Sequence, residues 1–537
     1  MTNVSDVAGK VSEGPDGHLP GLAFHGTLIL ATSAFFAIFL FVPIHTLLEN
    51  LADGAGYYLQ IASNAAHGKW FTFDGVNPTN GFHPMWMIVL VPLFKAVETT
   101  PESYFRLAGI MVVGFLALAS FLFHRALLRV LHPLAASVAG ACFLVFAFAN
   151  INLMESAIFL FFFACLLLLG LGSVASDRMT SARAFCFGLL LGGVILCRLD
   201  AAFLALALGG AGLLQISREV EKRGPLRVLA LVVLGACLVV LPYLLFNYVS
   251  FGSPVPVSGR LESTFPHTNF QQFIEGLNWL GKLRLAILTI ACVYWAARIA
   301  VRLGWSPRVT PVSRPILFSL DVLAAATLVH ALNEVLFVRW RLYWHFVLLI
   351  PLLSLLVAAA WSFYWPRIPA FLRNGVMLVV CLAIGLEGAY AIHRVISREA
   401  SHGWRAATYE ASLWIRANTM ESDRVAAPTP EIVGFFSGRG VVDLSGLAND
   451  LGIQEAMSNQ ALGPYLRASG VRYIFLSSAS PPSASMEDVA LEFFFDSDYF
   501  HTRSEPLRVS RVDEVYRSPA ISGKENMPGA FTLWRWR

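Results

Sequence analysis

The chain has 537 residues, of which 56% are hydrophobic and 14% charged, and it contains 41 phenylalanines. Soluble globular proteins carry roughly a quarter charged residues, so this composition excludes an ordinary soluble enzyme and indicates a polytopic membrane protein. The formal net charge of +4 is small, and the basic residues lie in short loops between apolar runs, which is typical of topology signals and not of a nucleic-acid surface. The seven cysteines lie inside apolar segments and predict neither a disulfide framework nor a zinc site.

The predicted membrane spans begin after a polar stretch, residues 1–23, which is interpreted as a cytoplasmic tail. The run from Phe24 to Leu47 is long enough to cross a bilayer and is interpreted as a retained helix. Segment 84–97 is left out of the spans, because its 14 residues and internal Pro92 are typical of an interfacial or re-entrant segment. Ten further spans, which make eleven predicted crossings, are 104–126, 134–150, 156–174, 184–197, 200–216, 227–249, 284–303, 317–337, 343–361 and 373–393.

The positive-inside rule orients these spans. With the N-terminus in the cytoplasm, the basic residues of loops such as 125–129 and 218–227 fall on the cytoplasmic side. The first loop, residues 48–103, and the C-terminal region then share the outer side. Residues 24–395 are therefore predicted to form a transmembrane domain, and residues 396–537 a soluble domain on the outer, periplasmic side of a bacterial inner membrane.

The C-terminal region differs in composition from the membrane spans. It carries charged, Ser- and Pro-containing stretches, an amphipathic pattern at 404–420 that predicts a helix, and the β-like runs RVAA, GVVDLSG, VRYIFLS, SRVDEVYR and AFTLWRW. These elements predict a small α/β domain. The region contains no nucleotide-binding loop, nucleophile elbow or metal motif.

The first loop is polar, aromatic and rich in Gly, Asn and Pro between apolar flanks. Its titratable residues, Asp53, Asp74, His67 and His83, are functional candidates because ionisable groups beside a membrane are costly to keep. Asp53 begins the predicted helix GYYLQIASNAAHG, where a carboxylate is either an N-cap or a general base. Asp74 precedes a glycine, which is typical of a turn.

The loop sequence DGAGYYLQIASNAAHGKWFTFDGVNPTNGFHPMW resembles the first periplasmic loop of bacterial GT-C glycosyltransferases, the superfamily that includes mannosyl- and arabinosyltransferases using polyprenyl-phosphate-linked sugars. Gly54 stands where members commonly carry the second residue of an acidic pair. The matching residues are Tyr57 to Gln60, Phe73 to Gly75, Pro78 to Gly81, His83, Pro84 and Trp86. Weaker similarities follow in order at Met154 to Ala157, Arg198 to Asp200, FNYVSFGSPVPVSGR ending at Arg260, RWRLYWH, and GRGVVDLSGLAND.

The resemblance implies a GT-C-like α-helical membrane fold of about eleven transmembrane helices with a small C-terminal α/β domain. It also implies transfer of a sugar, with inversion, from a polyprenyl-phosphate carrier to a hydroxyl of a glycan, lipid or protein. Asp53 is then the general base. Since a second acid is missing, the site is either metal-independent or has moved that task to Glu155 or Glu49; no metal ligand is assigned, and a divalent metal stays an open alternative as cofactor.

Two membrane-proximal acids and one arginine have open roles. Glu155 is either a solvated helix end or a residue that positions substrate. Arg198 and Asp200 flank a break between two helices, which favours a mutual ion pair, with contact between Arg198 and the donor phosphate as the alternative.

The predicted phosphate-binding cations are Arg260, Arg341 and His345, with Arg339 in reserve, because a guanidinium binds phosphate oxygens in two-point fashion. Arg339 and Arg341 fit an interfacial aromatic belt equally well. Further candidate substrate contacts are His83, Asn80 and Tyr57. His83 is alternatively a structural loop residue, and Tyr57 with Tyr58 an anchor at the membrane interface.

Two other classes compete with a glycosyltransferase. A transporter or flippase of lipid-linked sugars would need the inverted repeat and paired broken helices that the chain lacks. A non-catalytic GT-C-like scaffold would explain Gly54. For the glycosyltransferase, the predicted partners are a polyprenyl-phosphate-linked sugar donor, a glycan, lipid or protein acceptor, and membrane lipids, and no nucleic acid.

Overall fold

The computed structural model describes most of the chain, with gaps in several loops and in the C-terminal strands. The described residues are 19–50, 54–175, 179–218, 223–262, 293–294, 314–337, 347–396, 403–448, 452–478, 488–491, 494–497, 500–503, 507–510, 513–518 and 530–536.

Apolar helices fill the first three quarters of the chain. Seven of the described helices are long and apolar enough to cross a membrane, and four shorter apolar helices accompany them. The fold class predicted from composition, a polytopic helical membrane protein, is therefore confirmed. The helices are α1 (Leu19–Phe41), α2 (Ile44–Asn50), α3 (Ala55–Ala66), α4 (Pro84–Ala96), α5 (Pro101–Leu127), α6 (Pro133–Ala149), α7 (Ser156–Ala175), α8 (Ser181–Cys197), α9 (Ala202–Arg218), α10 (Arg223–Phe251), α11 (Val257–Glu262), α12 (Arg314–Phe337), α13 (Leu349–Tyr364) and α14 (Ala370–Ile396).

The predicted spans coincide with these helices, with two exceptions. The first predicted span is interrupted, since α1 ends at Phe41 and α2 begins at Ile44. Pro43 causes the break, because it lacks an N–H group and disfavours helical backbone in the residue before it. The predicted span 284–303 lies outside the described residues apart from 293–294, so the count of eleven crossings stays a prediction.

Glycines bring the described helices α8 and α10 into close contact. A Cβ built at Gly188 would overlap the Val232 carbonyl, and one built at Gly235 would overlap the Phe185 carbonyl. Small residues allow backbones to approach in this way where lipid offers no hydrophobic drive for association.

The first loop contains two helices, α3 and α4. Helix α3 covers the predicted GYYLQIASNAAHG segment, and α4 covers the predicted interfacial segment with Pro92 inside it. At 13 residues, α4 is shorter than the ~20 residues of a full span, in agreement with the prediction. The buried Trp86 holds its start, because the indole Nε1 donates a hydrogen bond to the Leu153 carbonyl at 3.2 Å.

The C-terminal region is an α/β unit built around one mixed sheet, which confirms the predicted class. The sheet order is β2-β1-β3-β9-β8, with β1 parallel to β2 and β3, and β9 antiparallel to β3 and β8. All five predicted β-like runs contain a strand. The elements are α15 (Trp404–Asn418), β1 (Arg424–Ala427), α16 (Glu431–Ser437), β2 (Gly440–Asp443), α17 (Gly452–Ser458), α18 (Leu462–Ala468), β3 (Val471–Ser478), β4 (Asp488–Leu491), β5 (Phe494–Ser497), β6 (Phe500–Arg503), β7 (Leu507–Ser510), β8 (Glu514–Arg517) and β9 (Ala530–Arg535).

Candidate active site

The turn at Asp74 shapes the middle of the first loop. Asp74 Oδ1 accepts hydrogen bonds from the backbone N–H groups of Val76 at 2.9 Å and Asn77 at 2.8 Å. Gly75 has a φ of +84°, which a glycine adopts without steric cost. The turn predicted from the Asp-Gly pair is therefore confirmed.

The same carboxylate joins the first loop to the C-terminal sheet. Asp74 Oδ2 accepts a hydrogen bond from Arg424 Nη2 at 2.5 Å, and the side chains are 0% and 15% exposed. Arg424 opens strand β1, and its Nη1 also donates to the Ser469 carbonyl. A charge-assisted contact of this kind is about twice as strong as a neutral hydrogen bond. Arg424 therefore fixes the position of the turn.

Close backbone approaches extend this interface between the first loop and the C-terminal region. A Cβ at Gly56 would overlap the Glu431 carbonyl, and a Cβ at Gly81 would overlap the Leu447 carbonyl. Gly56 and Gly81 are thus positions where only glycine fits without a backbone shift.

Glu49 serves this interface as well. Its Oε1 accepts a hydrogen bond from the Ala406 N–H at 2.7 Å, in the first turn of α15, and its backbone carbonyl accepts one from Arg405 Nη1 at 2.8 Å. A carboxylate at a helix N-terminus satisfies an open N–H group and the helix dipole. Glu49 is thereby committed to capping α15, which argues against it as the replacement for the second acid.

Tyr57 lies against the end of strand β2. Its hydroxyl is 3.5 Å from Asp443 Oδ2 and 3.4 Å from Ser445 Oγ. Burial raises the pKa of the Asp443 carboxyl, and hydrogen bonds from Ser445 and Ala448 partly offset that effect. The residue predicted to contact substrate or anchor the membrane interface therefore contacts the C-terminal region.

Tyr58, its neighbour, is buried on another side of α3. Its hydroxyl lies beside the Glu155 carboxylate and the backbone N–H of His83, and burial followed by the charge of Glu155 raises its pKa. Half-buried His83 precedes α4 as its N-cap residue, with extended backbone. Gly54, where the resembling loops carry a second acid, is close to the same region, since a Cβ there would lie 3.1 Å from Met154 Cε.

Glu155, Arg198 and Asp200 form a buried set of ion pairs. Arg198 Nη1 donates to Glu155 Oε1 at 2.7 Å, and Arg198 Nη2 donates to Asp200 Oδ2 at 2.7 Å. The side chains of Arg198 and Glu155 are 4% and 1% exposed. The predicted pairing of Arg198 with Asp200 is confirmed. The interpretation of Glu155 as a solvated helix end is wrong, because the side chain turns inward to the guanidinium.

Two residues that the sequence reasoning missed complete this set. His330 Nε2 lies 3.3 Å from Asp200 Oδ2 and 3.4 Å from Glu334 Oε1. Both belong to the apolar helix α12, one turn apart, and ionisable residues inside an apolar span were the signal that could have identified them. We call Glu155, Arg198, Asp200, His330 and Glu334 the charge cluster.

Asn80 connects the first loop to the segment after α10. Its side-chain Oδ1 accepts a hydrogen bond from the backbone N–H of Val257, the first residue of α11, at 3.0 Å. Two residues further on, the Phe82 carbonyl accepts a hydrogen bond from Tyr243 Oη of α10 at 3.3 Å. Arg260 lies in α11 with its side chain exposed, so the first loop holds the helix that carries this predicted phosphate ligand.

The remaining predicted site residues, Asp53, Arg341, His345 and Arg339, lie outside the described residues. Of the predicted residues that the structure does describe, Tyr57, Asn80 and His83 share the first loop, and Glu155 and Arg198 share the charge cluster. Within the described ranges, no group of three or more His, Cys, Asp or Glu side chains has a metal-binding arrangement.

The fold is a bundle of apolar helices with a structured first loop and a C-terminal unit that contacts that loop. Two solved membrane-protein structures have a similar fold. ArnT from Cupriavidus metallidurans, in a crystal structure bound to undecaprenyl phosphate, superposes with a TM-score of 0.55 over 90% of this chain and 97% of ArnT, at 16% identity. The oligosaccharyltransferase of Archaeoglobus fulgidus, tethered to an acceptor peptide with an NVT sequon, gives 0.51 over 84% of this chain and 69% of its own, at 12% identity. No family model matches the sequence, and no curated protein matches it either.

Proposed function

We propose that the protein is a membrane glycosyltransferase that transfers a sugar from a polyprenyl-phosphate carrier to a hydroxyl acceptor, with inversion, on the outer side of a bacterial inner membrane. The observation that carries the proposal is the similarity of fold along nearly the whole chain to ArnT, whose structure contains undecaprenyl phosphate. The acceptor is an envelope glycan, a lipid or a protein.

The chemistry assigns one role to the first loop. The acceptor hydroxyl gives its proton to the Asp53 carboxylate while its oxygen forms a bond to the anomeric carbon of the sugar. The bond between that carbon and the phosphate oxygen breaks on the opposite face, and the polyprenyl phosphate leaves with one more negative charge. General-base assistance of this kind contributes roughly 10²–10⁴-fold in rate.

The departing phosphate needs a cation, and the two described candidates differ in their surroundings. Arg198 has both ends of its guanidinium bound to carboxylates, so it has little capacity left for phosphate. Arg260 is exposed and, among the described residues, forms no ion pair or side-chain hydrogen bond. We therefore assign Arg260 to the leaving phosphate, together with Arg341 and His345, which are assigned from the sequence.

A transfer assay with purified protein in lipid nanodiscs tests the proposal. The donors are undecaprenyl-phosphate-linked sugars carrying a radiolabel, and the acceptors are lipid, glycan and protein fractions of bacterial membranes. We expect transfer by the native chain, with the product anomer inverted, and a loss of roughly 10²–10⁴-fold for Asp53→Asn. Glu421→Gln, a change at an exposed acid in the C-terminal region, serves as the matched control.

The assay also distinguishes the other classes. Full transfer by Asp53→Asn would reject the assigned base. Movement of the labelled lipid across the bilayer of a liposome without any transfer would favour a transporter. If native mass spectrometry finds no binding of undecaprenyl phosphate and no donor is consumed, the chain is a scaffold.

A further inference from the structure

The geometry points to Asn80 as a positioning residue that holds α11, and with it Arg260, against the first loop. This inference deepens the proposed function, because it rests on Arg260 as the cation for the lipid phosphate. The sequence had assigned Asn80 to direct substrate contact, and the structure gives its side chain a different partner.

The acceptor oxygen of Asn80 is already in use. Oδ1 accepts the N–H of Val257 at 3.0 Å, and the two residues are 177 positions apart in the chain. Val257 is the first residue of α11, so this N–H is one of the donors that a helix of six residues cannot satisfy internally. Asn80 therefore caps α11 from the first loop, a part of the chain that is distant from α11 in sequence.

The neighbouring contacts favour a fixed position for α11. Val257 and Leu261 are 6% and 3% exposed, and they are four residues apart on one face of the helix. Arg260, three residues after Val257, is exposed and lies beside this buried face. A single short helix has little stability of its own, so its orientation depends on the buried face and on the bond from Asn80.

The Asn80 amide nitrogen offers an alternative role for this residue, direct contact with a ligand, and that role can be tested. Nδ2 is buried and has no hydrogen-bond partner in the described part of the chain. It is therefore available to donate directly to a ligand. Asn80→Asp keeps an oxygen that accepts from Val257 and loses this donor, whereas Asn80→Ala loses both. The pair of variants separates positioning from ligand contact.

The first measurement does not depend on activity. Trypsin cleaves after Arg260, and the rate of that cut in detergent-solubilised protein reports how firmly α11 is held. We expect Asn80→Ala to speed the cut roughly fivefold or more, because one hydrogen bond of ordinary strength is lost. Asn80→Asp restores the rate to within about twofold of the native chain. Ser253→Ala, which removes the two local hydrogen bonds with Val255 and keeps the bond from Val257 to Asn80, is the control that leaves the rate unchanged.

The second measurement uses transfer from an undecaprenyl-phosphate-linked sugar. Asn80→Ala and Arg260→Ala should each raise the KM for the donor roughly tenfold with little change in kcat, and the double variant should be no worse than either. Asn80→Asp should rescue most of the loss.

Each outcome of these two measurements either supports or overturns the positioning role of Asn80. An unchanged cut in Asn80→Ala overturns the positioning role whatever the activity. A normal cut in Asn80→Asp with a KM as poor as that of Asn80→Ala assigns Asn80 to the ligand instead. If the native chain consumes no donor while the cut responds as expected, the proposed function fails and the link between Asn80 and α11 stands.

Discussion

Tyr57 and Tyr58 are adjacent in α3, yet their hydroxyls lie in two different kinds of environment. Tyr57 contacts Asp443 and Ser445 of the C-terminal region, in an interface made of one ion pair, helix caps and close backbone contacts. Tyr58 lies beside Glu155 of the charge cluster, where one guanidinium serves two carboxylates in a buried setting. The first loop thus contacts the C-terminal region through an ion pair, hydrogen bonds and close backbone approaches, and it contacts the membrane helices through single hydrogen bonds, with Tyr58 beside the charge cluster.

The difference bears on which arginines can serve a substrate. Arg198 and Arg424 are both paired with carboxylates, whereas Arg260 is held through its helix and leaves its guanidinium exposed. An arginine is therefore available to bind phosphate only where neighbouring carboxylates do not already pair with its guanidinium.

The largest effect is expected at the charge cluster. Arg198→Met leaves the buried Glu155 carboxylate without its cation, which costs about 3–5 kcal/mol, whereas Asp200 keeps His330 beside it. We predict a sharp fall in the thermal midpoint of the protein in detergent, followed by intrinsic tryptophan fluorescence. Arg125→Met, at an exposed arginine, should leave the midpoint unchanged. An unchanged midpoint together with lost transfer would instead assign Arg198 to the donor phosphate.

The ion pair between the first loop and the C-terminal region should be weaker. A double-mutant cycle with Asp74→Asn and Arg424→Met is expected to give a coupling free energy of about 1–3 kcal/mol. The asparagine keeps an oxygen for the turn, so the cycle isolates the contact with the guanidinium. Additive effects on thermal unfolding would mean that this ion pair does not contribute to holding the two regions together.

The substitution Tyr57→Phe tests the interface between the first loop and the C-terminal region at a longer hydrogen bond. Its hydroxyl lies 3.4 and 3.5 Å from its partners, so the loss of stability should be at the lower end of about 0.5–1.5 kcal/mol. The KM for the donor should not change. A raised KM at constant thermal midpoint would restore the sequence-based prediction that Tyr57 contacts substrate.

The smallest effect is a dependence on pH at Asp443. Its pKa is raised in the folded protein by burial, so the folded state binds more protons than the unfolded one above the ordinary Asp value of about 3.9. Its contribution to stability is fully present below that value and is lost as the pH rises through the folded-state pKa. The difference in unfolding free energy between the native chain and Asp443→Asn should therefore change with pH in this window. A pH-independent difference would contradict the raised pKa.

Sequence patterns over neighbouring residues predicted the elements of the fold that depend on local interactions. Apolar length predicted the helices of the bundle, the Asp-Gly pair predicted the turn at Asp74, and short β-like runs predicted strands β1, β2 and β3. Pro43 shows the limit, since the apolar run continues through it while the helix cannot.

The contacts that define the candidate site are distant in sequence. Arg424 meets Asp74 across 350 positions, and Arg198 meets Glu155 across 43. No local periodicity encodes such pairs, so the roles of Glu49, Glu155 and Arg424 emerged only from the packed helices and sheet. The resemblance predicted that the first loop is functional, and the structure shows that Asn80 and Tyr57 contact the protein itself.

A structure of the protein with undecaprenyl phosphate in a lipid nanodisc, determined by electron cryomicroscopy, tests the central claim most directly. The account predicts that the lipid phosphate lies within hydrogen-bonding distance, about 3 Å, of the Arg260 guanidinium, beside the first loop that carries Asp53. Phosphate bound instead to Arg198, with its pairs to Glu155 and Asp200 broken, or lipid bound away from the first loop, would contradict it.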